Sequence, residues 1–274
     1  MSKSVVAGKA NVINAHVHIY PDKIAQKAAS SIGAFYGVHI EHDGTIASLL
    51  KENKEMGIDK CLVHSVATTV HQVASINGFI YEQTRLHDEF IGFMTLHPDM
   101  SKEEIKDEVD KCIGLGLCGV KLHPDCQGFY VDEKRAAKIY DAIAGKMPVL
   151  IHMGDARYDY SSVSRLIPIL NDYEQLQVIA AHFGGYQRWD EVGLYHKAKH
   201  SNFHFDTSSS LYYLSKEKAL GFIRDFGVEK FFFGTDFPMW PAKDELKRMD
   251  SLGLPDAERE MVMGKNLERF LRLP

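Results

Sequence analysis

Cysteine is scarce in this 274-residue chain, and long apolar runs are missing. The four cysteines form no CxxC pair, which excludes a disulfide scaffold and favours a reducing compartment, so we expect a cytoplasmic protein. No segment approaches the ~18 apolar residues of a membrane span, and residues 1–20 lack the apolar core of a signal peptide. The sequence therefore predicts a soluble chain without a membrane partner.

Charges of one sign do not cluster either. The 32 basic and 37 acidic residues are interspersed and give a formal net charge of −5, without the basic stripe that a nucleic-acid binder needs. With 45% hydrophobic and 25% charged residues the composition is that of an ordinary globular protein. No linker divides the sequence, so we expect one domain over residues 1–274.

Short apolar runs alternate regularly with longer segments of helical periodicity. This alternation is typical of right-handed βα units around a parallel sheet, and eight units predict a closed (β/α)8 TIM barrel. The predicted strands are residues 11–20, 60–67, 90–98, 118–124, 148–154, 177–185, 203–209 and 230–238.

The segments between these strands have helix signals of their own. Ser101 and Glu104 have the spacing of a capping box and predict a helix start. Residues 21–43 form a long insertion after the first strand, on the active-site face of a barrel, and we expect them to cover the pocket. The last helix should close the bottom or side of the barrel. Further helices are predicted near residues 45–57, 71–87, 132–146, 160–172, 186–199, 215–226 and 256–271.

Residues that bind metal ions stand where several predicted strands end. His16 and His18 alternate with apolar residues, so their imidazoles share one face and can hold one divalent metal ion. His152, His182 and Asp236 follow the apolar runs of strands five, six and eight. A metal ion would neutralise the buried charge of Asp236. For each lone histidine, a hydrogen-bonded core residue is the alternative interpretation.

In the order and local sequence of these residues, the chain resembles the amidohydrolase superfamily over essentially its whole length. Within it, the chain is similar to amidohydrolase family 2, which includes aminocarboxymuconate-semialdehyde decarboxylase and γ-resorcylate decarboxylase. The resemblance implies one divalent metal ion per chain, commonly zinc, bound by His16, His18, His152 and Asp236, and a catalytic His182. The same ligands also suit manganese or iron.

Strand four carries Lys121 and His123, which share a face by the same alternation. In relatives with two metal ions a lysine on this strand is carbamylated and bridges them, which is one interpretation of Lys121. A contact to a substrate carboxylate and a structural ion pair are the other two. We interpret His123 as a pocket residue.

Loop residues beside the strand ends are candidates for substrate contacts. Arg157 has the planar fork that binds carboxylates, although a solvated loop arginine is an equal alternative. Trp240 is expected to form an apolar wall of the pocket. His64 and His97 either line the pocket or are core histidines. Asp206 and residues 208–210 are candidates for hydrogen bonds to a metal-binding histidine.

These assignments predict a metal-dependent hydrolase in which an activated water attacks an amide, lactone or ester carbon of a small, carboxylate-bearing substrate. Asp236 would accept the proton of that water, and His182 would stabilise the charge that develops on the carbonyl oxygen.

A second interpretation uses the same residues for non-oxidative decarboxylation of an aromatic or unsaturated carboxylic acid. Asp236 or His182 would then protonate a carbon before carbon dioxide leaves. We rank hydrolysis first because the superfamily is mostly hydrolytic and the chain is short, with compact loops. A barrel that only binds a metal ion or ligand is a third interpretation, disfavoured by the complete set of polar residues. A homodimer is the default oligomer.

Overall fold

Eight parallel β-strands form a nearly closed barrel in the computed structural model, which describes residues 10–40 and 42–273. Each strand is hydrogen-bonded to the strand that follows it in the chain. This arrangement confirms the predicted (β/α)8 fold and its eight strands. The strands are β1 (Ile13–His18), β2 (Lys60–His64), β3 (Phe90–Thr95), β4 (Gly119–Leu122), β5 (Val149–Ile151), β6 (Val178–Ala180), β7 (Phe203–Asp206) and β8 (Phe231–Phe232).

Helices lie between the strands along the chain. Most of them lie close to their predicted positions, but residues 186–199 contain a 3-10 helix, and the helices Asp22–Tyr36, Pro124–Gln127 and Ala242–Ser251 were not predicted. The helices that the structure describes are α1 (Asp22–Tyr36), α2 (Ile46–Met56), α3 (Val73–Leu86), α4 (Lys102–Gly114), α5 (Pro124–Gln127), α6 (Lys134–Ile143), α7 (Val163–Asp172), α8 (Lys216–Phe226), α9 (Ala242–Ser251), α10 (Asp256–Glu260) and α11 (Asn266–Leu271), with 3-10 turns at Val70–Gln72, Trp189–Lys197 and Val228–Lys230 and a π turn at Met261–Lys265.

Local signals explain where these helices begin and end. The predicted capping box is present at α4, where Ser101 Oγ accepts from the backbone N–H of Glu104 at 3.1 Å and Glu104 Oε2 accepts from that of Ser101 at 2.7 Å. Helix α1 ends at Gly37, whose φ of 68° is the left-handed conformation that glycine adopts without strain. The insertion after β1 is therefore a helix that is held in place at its C-terminal end.

The apolar core has two layers. The larger layer lies between the strands and the surrounding helices, and a smaller one fills the interior of the barrel with residues such as Phe93, Leu150 and Ile179. Leu267 of α11 belongs to this interior layer, and Phe270 packs against it. The final helix therefore packs against the barrel interior, in agreement with the prediction that it closes one end of the barrel.

Strand β1 departs from simple alternation. Its pairing with β2 shifts register between Asn14 and Val17, and Ala15 packs in the barrel interior, whereas alternation predicts that it faces the helices. One extra residue in a strand turns every later side chain to the opposite face of the sheet. This irregularity is what allows Ala15 and His16 both to point inward.

The seam between β8 and β1 closes the barrel with few hydrogen bonds. Backbone N–H groups of Ala15 and His18 donate to the carbonyls of Phe233 and Phe237 at 2.7 and 2.8 Å. In the opposite direction the N–H of Asp236 donates to the carbonyl of His16 at 2.9 Å. Three of the predicted metal ligands thus lie on the two sides of this seam.

All four cysteines are free thiols, in agreement with the absence of a disulfide pattern in the sequence. Within residues 10–40 and 42–273, every helix is too short or too polar to span a lipid bilayer.

Candidate active site

A cavity of about 990 Å³ lies at the carboxyl ends of the strands. His16, His18, His152, His182 and Asp236 all contribute to its lining. Helix α1 forms one wall, so the expectation that the insertion covers the pocket is confirmed. The remaining wall residues include apolar and aromatic side chains, among them Tyr20, Ile24, Ile32, Phe35, Phe79 and Met239.

His16, His18 and Asp236 converge at the seam of the barrel. The Nε2 atoms of the two histidines lie 3.4 and 3.3 Å from Oδ1 of Asp236. All three side chains are buried, and Ser209 Oγ donates to the other carboxylate oxygen of Asp236 at 2.5 Å. The strand-end pattern in the sequence therefore predicts this convergence correctly.

The neighbours of His16 set its protonation. Nδ1 donates to Asp206 Oδ2 at 2.8 Å, and burial lowers the pKa of His16 to about 4, so the ring is neutral and Nε2 keeps a lone pair. Burial alone would raise the pKa of Asp236, but His16 and His18 hold it well below its usual range. A lone pair and a carboxylate oxygen that face each other at 3.4 Å repel, and a cation between or beside them would relieve this repulsion.

Lys121 supplies one such cation. Its side chain is fully buried, and Nζ donates to His16 Nε2 at 2.9 Å. Burial lowers the pKa of this ammonium to about 8. This hydrogen bond to a neutral imidazole is none of the three interpretations from sequence, so none of them is confirmed.

The donor chemistry also fits a divalent metal ion. Neutral imidazoles together with a carboxylate are ligands that zinc, manganese and iron accept. Three buried groups have ligand atoms within 4.8 Å of one another: His16, His18 and His64; His16, His182 and Asp236; and His123, Asp125 and His152. The site therefore contains groups that could bind a divalent metal ion.

His182 and Asp236 have unusual backbone conformations, with φ of 62° at both residues. Non-glycine residues rarely adopt a positive φ, and such strain persists where the surroundings enforce it. Because Ile179 and Ala181 face the barrel interior, simple alternation would turn His182 outward, and the left-handed turn directs it into the cavity instead. Sequence patterns contain no signal for this turn.

Residues after β7 hold the histidines in position. Besides His16, Asp206 accepts from the backbone N–H of His182 at 3.1 Å and from Ser208. Ser208 Oγ lies 2.9 Å from His182 Nδ1 and 3.0 Å from His16 Nδ1. These contacts are the ones expected from sequence for Asp206 and the serines that follow it.

His152 lies beside the cluster, and its ring nitrogens face partners other than Asp236. Its Nε2 donates to the carbonyl of Gly154 at 2.8 Å, and its Nδ1 lies 2.9 Å from His182 Nε2. Both ring nitrogens therefore have partners. The role of His152 as a metal ligand stays a prediction.

His123 is a cavity residue that stacks on His152, with ring centroids 4.0 Å apart and planes inclined by 8°. Two further residues beside it were not predicted from the sequence. Tyr36 of α1 places its hydroxyl 2.8 Å from His123 Nε2, and Asp125 of α5 lies in the cavity wall. Asp125 follows a strand end and could have been found there, whereas nothing in the sequence marks Tyr36.

Arg157 is engaged with the protein itself. Its Nε and Nη2 atoms donate to the two carboxylate oxygens of Asp155 at 2.9 and 2.7 Å, and Nη1 donates to the carbonyl of Phe35. The guanidinium also lies 4.5 Å from the ring centroid of Phe35. The guanidinium group that we expected to bind a substrate carboxylate thus binds Asp155 and the C-terminal end of α1.

Trp240 and His97 also have partners within the protein. Trp240 Nε1 donates to Ser209 Oγ at 2.9 Å, and its ring stacks on Tyr212 with centroids 4.7 Å apart. His97 Nδ1 accepts from the backbone N–H of Asp99 at 3.2 Å, as a core histidine does. The cavity lining formed by the described residues excludes both side chains, together with Arg157 and Lys121.

His64 of β2 is buried between His16 and His18. Its ring centroid lies 4.4 Å from that of His18 and 4.9 Å from that of His16. Among the residues that the structure describes, neither ring nitrogen of His64 has a hydrogen-bond partner.

Several solved structures share this fold. One is 2,6-dihydroxybenzoate decarboxylase in complex with 2,6-dihydroxybenzoate, 16% identical, with a TM-score of 0.73 over 97% of this chain and 100% of that chain. Another is 5-carboxyvanillate decarboxylase from Sphingomonas paucimobilis, 15% identical, with a TM-score of 0.72 over 97% and 100%. A dihydroxybenzoic acid decarboxylase from Polaromonas sp. JS666, with bound manganese and 2-nitroresorcinol, is 14% identical, with a TM-score of 0.72 over 97% and 98%.

These neighbours correct the prediction of a hydrolase. The three proteins are decarboxylases of aromatic acids, so they favour the second interpretation from sequence over the first. Hydrolysis was wrongly ranked first because most members of the superfamily are hydrolases. The same kinds of metal ligands serve both reactions, so the ligands alone do not distinguish them. No curated protein matches the chain by sequence.

Residues 62–273 match the family model described as amidohydrolase. The match runs from the second strand of the barrel to the last helix and covers more than half of the chain. It includes His152, His182 and Asp236, whereas β1 with its two histidines lies before the matched residues. The chain belongs to the amidohydrolase family.

Proposed function

We propose that the protein is a metal-dependent, non-oxidative decarboxylase of a small aromatic carboxylic acid. The cavity is the observation that carries this proposal. Apolar and aromatic side chains line it, and it ends on the buried cluster of His16, His18 and Asp236. An aromatic ring with one carboxylate matches both parts of such a cavity.

The size and walls of the cavity suit a substituted aromatic ring. A volume of about 990 Å³ accommodates a small molecule together with water. Ile32 and Phe35 of α1 and Phe79 of α3 are among the lining residues. The named substrates of the structural neighbours, dihydroxybenzoate and carboxyvanillate, are molecules of this class and support the choice.

His16, His18 and Asp236 would hold the divalent metal ion, with His152 as the fourth ligand implied by the family. When bound, the ion would neutralise and orient the substrate carboxylate. We propose one ion per chain, and the manganese in the Polaromonas structure supports a comparison of manganese with zinc.

His182 is the proton donor that we infer. Asp236 would bind the ion, with Oδ2 accepting from Ser209 and Oδ1 facing the two histidines, whereas His182 lines the cavity and is not one of the proposed ligands. A proton from His182 would add to the ring carbon that bears the carboxylate. The bond from that carbon to the carboxyl carbon would then break, its electron pair would restore the ring, and carbon dioxide would leave.

The test is incubation of the protein with aromatic acids, including 2,6-dihydroxybenzoate and 5-carboxyvanillate, in the presence of Mn²⁺ or Zn²⁺. Carbon dioxide and the ring product with hydrogen in place of the carboxylate are expected in equal amounts. Lactones and amides are the parallel substrates. Turnover of these with no carbon dioxide from any acid would contradict the proposal.

A further inference from the structure

His64 is a polar residue that the proposed chemistry leaves without a role. It is the last residue of β2, it is completely buried, and within the described ranges its two ring nitrogens are unpartnered. Burial of an imidazole without a partner is costly, and native structures rarely retain it. His97, buried near the end of β3, has a backbone N–H as its partner and illustrates the ordinary case.

The surroundings of His64 contain imidazoles and a lysine. Its Cα pairs with that of His18 in the register of β1 and β2, and both neighbouring rings approach it edge to face. A neutral imidazole has one nitrogen lone pair, and the ligand atoms of His16, His18 and His64 lie within 4.8 Å of one another.

Other roles fit these observations less well. The cavity lining formed by the described residues omits His64, which argues against a direct substrate contact. A purely structural histidine would hydrogen-bond at least one neighbour. His152, by comparison, has partners at both nitrogens and lies across the barrel on the chain after β5.

We propose that His64 is a ligand of the same divalent metal ion as His16, His18 and Asp236. The proposal rests on the proposed function, because it concerns the same ion. Its ligands would then come from β2, β1 and the end of β8, which are neighbours around the barrel on either side of the seam. A ligand from β2 would account for the buried nitrogens of His64 that otherwise have no partner.

The experiment measures the dissociation constant for Mn²⁺ on protein stripped with a chelator, and the melting temperature of the stripped protein. His64→Phe keeps the volume of the ring and removes its nitrogens, and His64→Asn is the smaller second variant. Both are expected to bind Mn²⁺ at least ~100-fold more weakly, since even residues that only support a ligand contribute 10–100-fold. Without the ion, His64→Phe is expected to melt at the temperature of the wild type or above it.

His97→Phe and His97→Asn are the matched controls, and both should bind Mn²⁺ as the wild type does. His18→Ala reports whether the site exists and should abolish binding. Wild-type affinity in the His64 variants, with binding lost in His18→Ala, would overturn the proposal and leave the proposed function intact. If both His64 variants fail to fold while the His97 variants fold, the proposal is overturned too. The stripped wild type folds without the ion, so this result would show that His64 supports the fold and does not act through the ion. Absence of Mn²⁺ and Zn²⁺ binding in the wild type would contradict the proposed function as well.

Discussion

Individual backbone torsions direct the side chains of this site. His182 and Asp236, which follow strands β6 and β8, both have a φ of 62° and line the cavity. Such conformations cost ~1–3 kcal/mol and persist where the surrounding structure enforces them. Asp206 contributes to that enforcement at His182, because it accepts the backbone N–H of this strained residue.

Replacement of His182 separates proton transfer from metal binding. His182→Asn is expected to lower the rate of carbon dioxide release by ~10²–10⁴-fold, the usual contribution of a positioned acid, and to leave the metal content unchanged. Metal per chain by mass spectrometry and turnover on the same sample provide the check. Loss of the ion from His182→Asn would show that His182 is a ligand and not the proton donor.

Glu245 in α9 makes stability depend on pH. It is fully buried, and burial raises the pKa of its carboxyl from 4.5 to about 7, although Arg248 opposes the shift; Asp236 and Asp244 raise it further. The folded protein therefore holds a proton that the unfolded chain releases, so this contribution to stability is present near pH 4.5 and is lost as pH rises through 7. The free energy involved is ~3 kcal/mol.

Glu245→Gln should consequently stabilise the protein at pH 8 and have little effect at pH 5. Urea unfolding of the variant and the wild type at both pH values measures the difference. Glu103→Gln, at an exposed position of α4, is the control and should leave the difference between the midpoints at pH 5 and pH 8 unchanged. Equal unfolding midpoints of Glu245→Gln and the wild type at pH 8 would contradict the assigned pKa.

At the level of elements, we expect helix α1 to control access to the cavity. It forms a wall of the cavity, and Arg157 joins its last turn to the loop after β5 through Phe35 and Asp155. The same guanidinium lies over the rings of Phe35 and Tyr36, 4.5 and 5.4 Å from their centroids. Such cation–π contacts add to the hydrogen bonds of the link.

Removal of this link should loosen α1. Arg157→Ala is expected to increase amide hydrogen exchange in residues 22–36 by about tenfold and to raise KM, with unchanged metal content. Arg165→Ala is the control, since Arg165 pairs with Asp132 and Asp159 away from α1. A raised KM without faster exchange would instead favour the substrate contact that the sequence predicts for Arg157.

Strands and their end residues could be predicted from sequence because a buried parallel strand reads as an apolar run followed by polar residues. The convergence of His16, His18 and Asp236 follows from that topology alone. The orientation of the His152 ring does not follow from the topology. Its partners are the carbonyl of Gly154, two residues further along the chain, and His182, which follows another strand. The sequence also has no signal for the irregularity in β1, which depends on how this strand pairs with β2.

At the scale of the whole molecule, the seam between β8 and β1 links barrel closure to the site. Asn14 is buried there, with Nδ2 donating to Thr235 Oγ1 at 2.8 Å and Oδ1 accepting from the backbone N–H of Thr235 at 3.0 Å. These bonds bring the residues before His16 next to the residue before Asp236. A metal ion bound by both sides would hold the two ends of the chain together, so binding should depend on a closed seam.

Asn14→Ala is therefore expected to weaken both stability and metal binding. Three buried hydrogen bonds are lost, two with Thr235 and one from the backbone N–H of His16 at 3.3 Å, and their partners are left unpaired, which should lower the free energy of unfolding by ~2 kcal/mol. The affinity for Mn²⁺ should fall by ~10-fold or more, since Asn14 acts on the ligands only through the backbone of the seam.

Asn202→Ala is the matched control: this buried asparagine donates to the carbonyls of Tyr173 and Leu176, away from the site. It should lose comparable stability and keep its metal affinity, so equal metal affinity in both variants would show that closure of the seam and binding of the ion are independent.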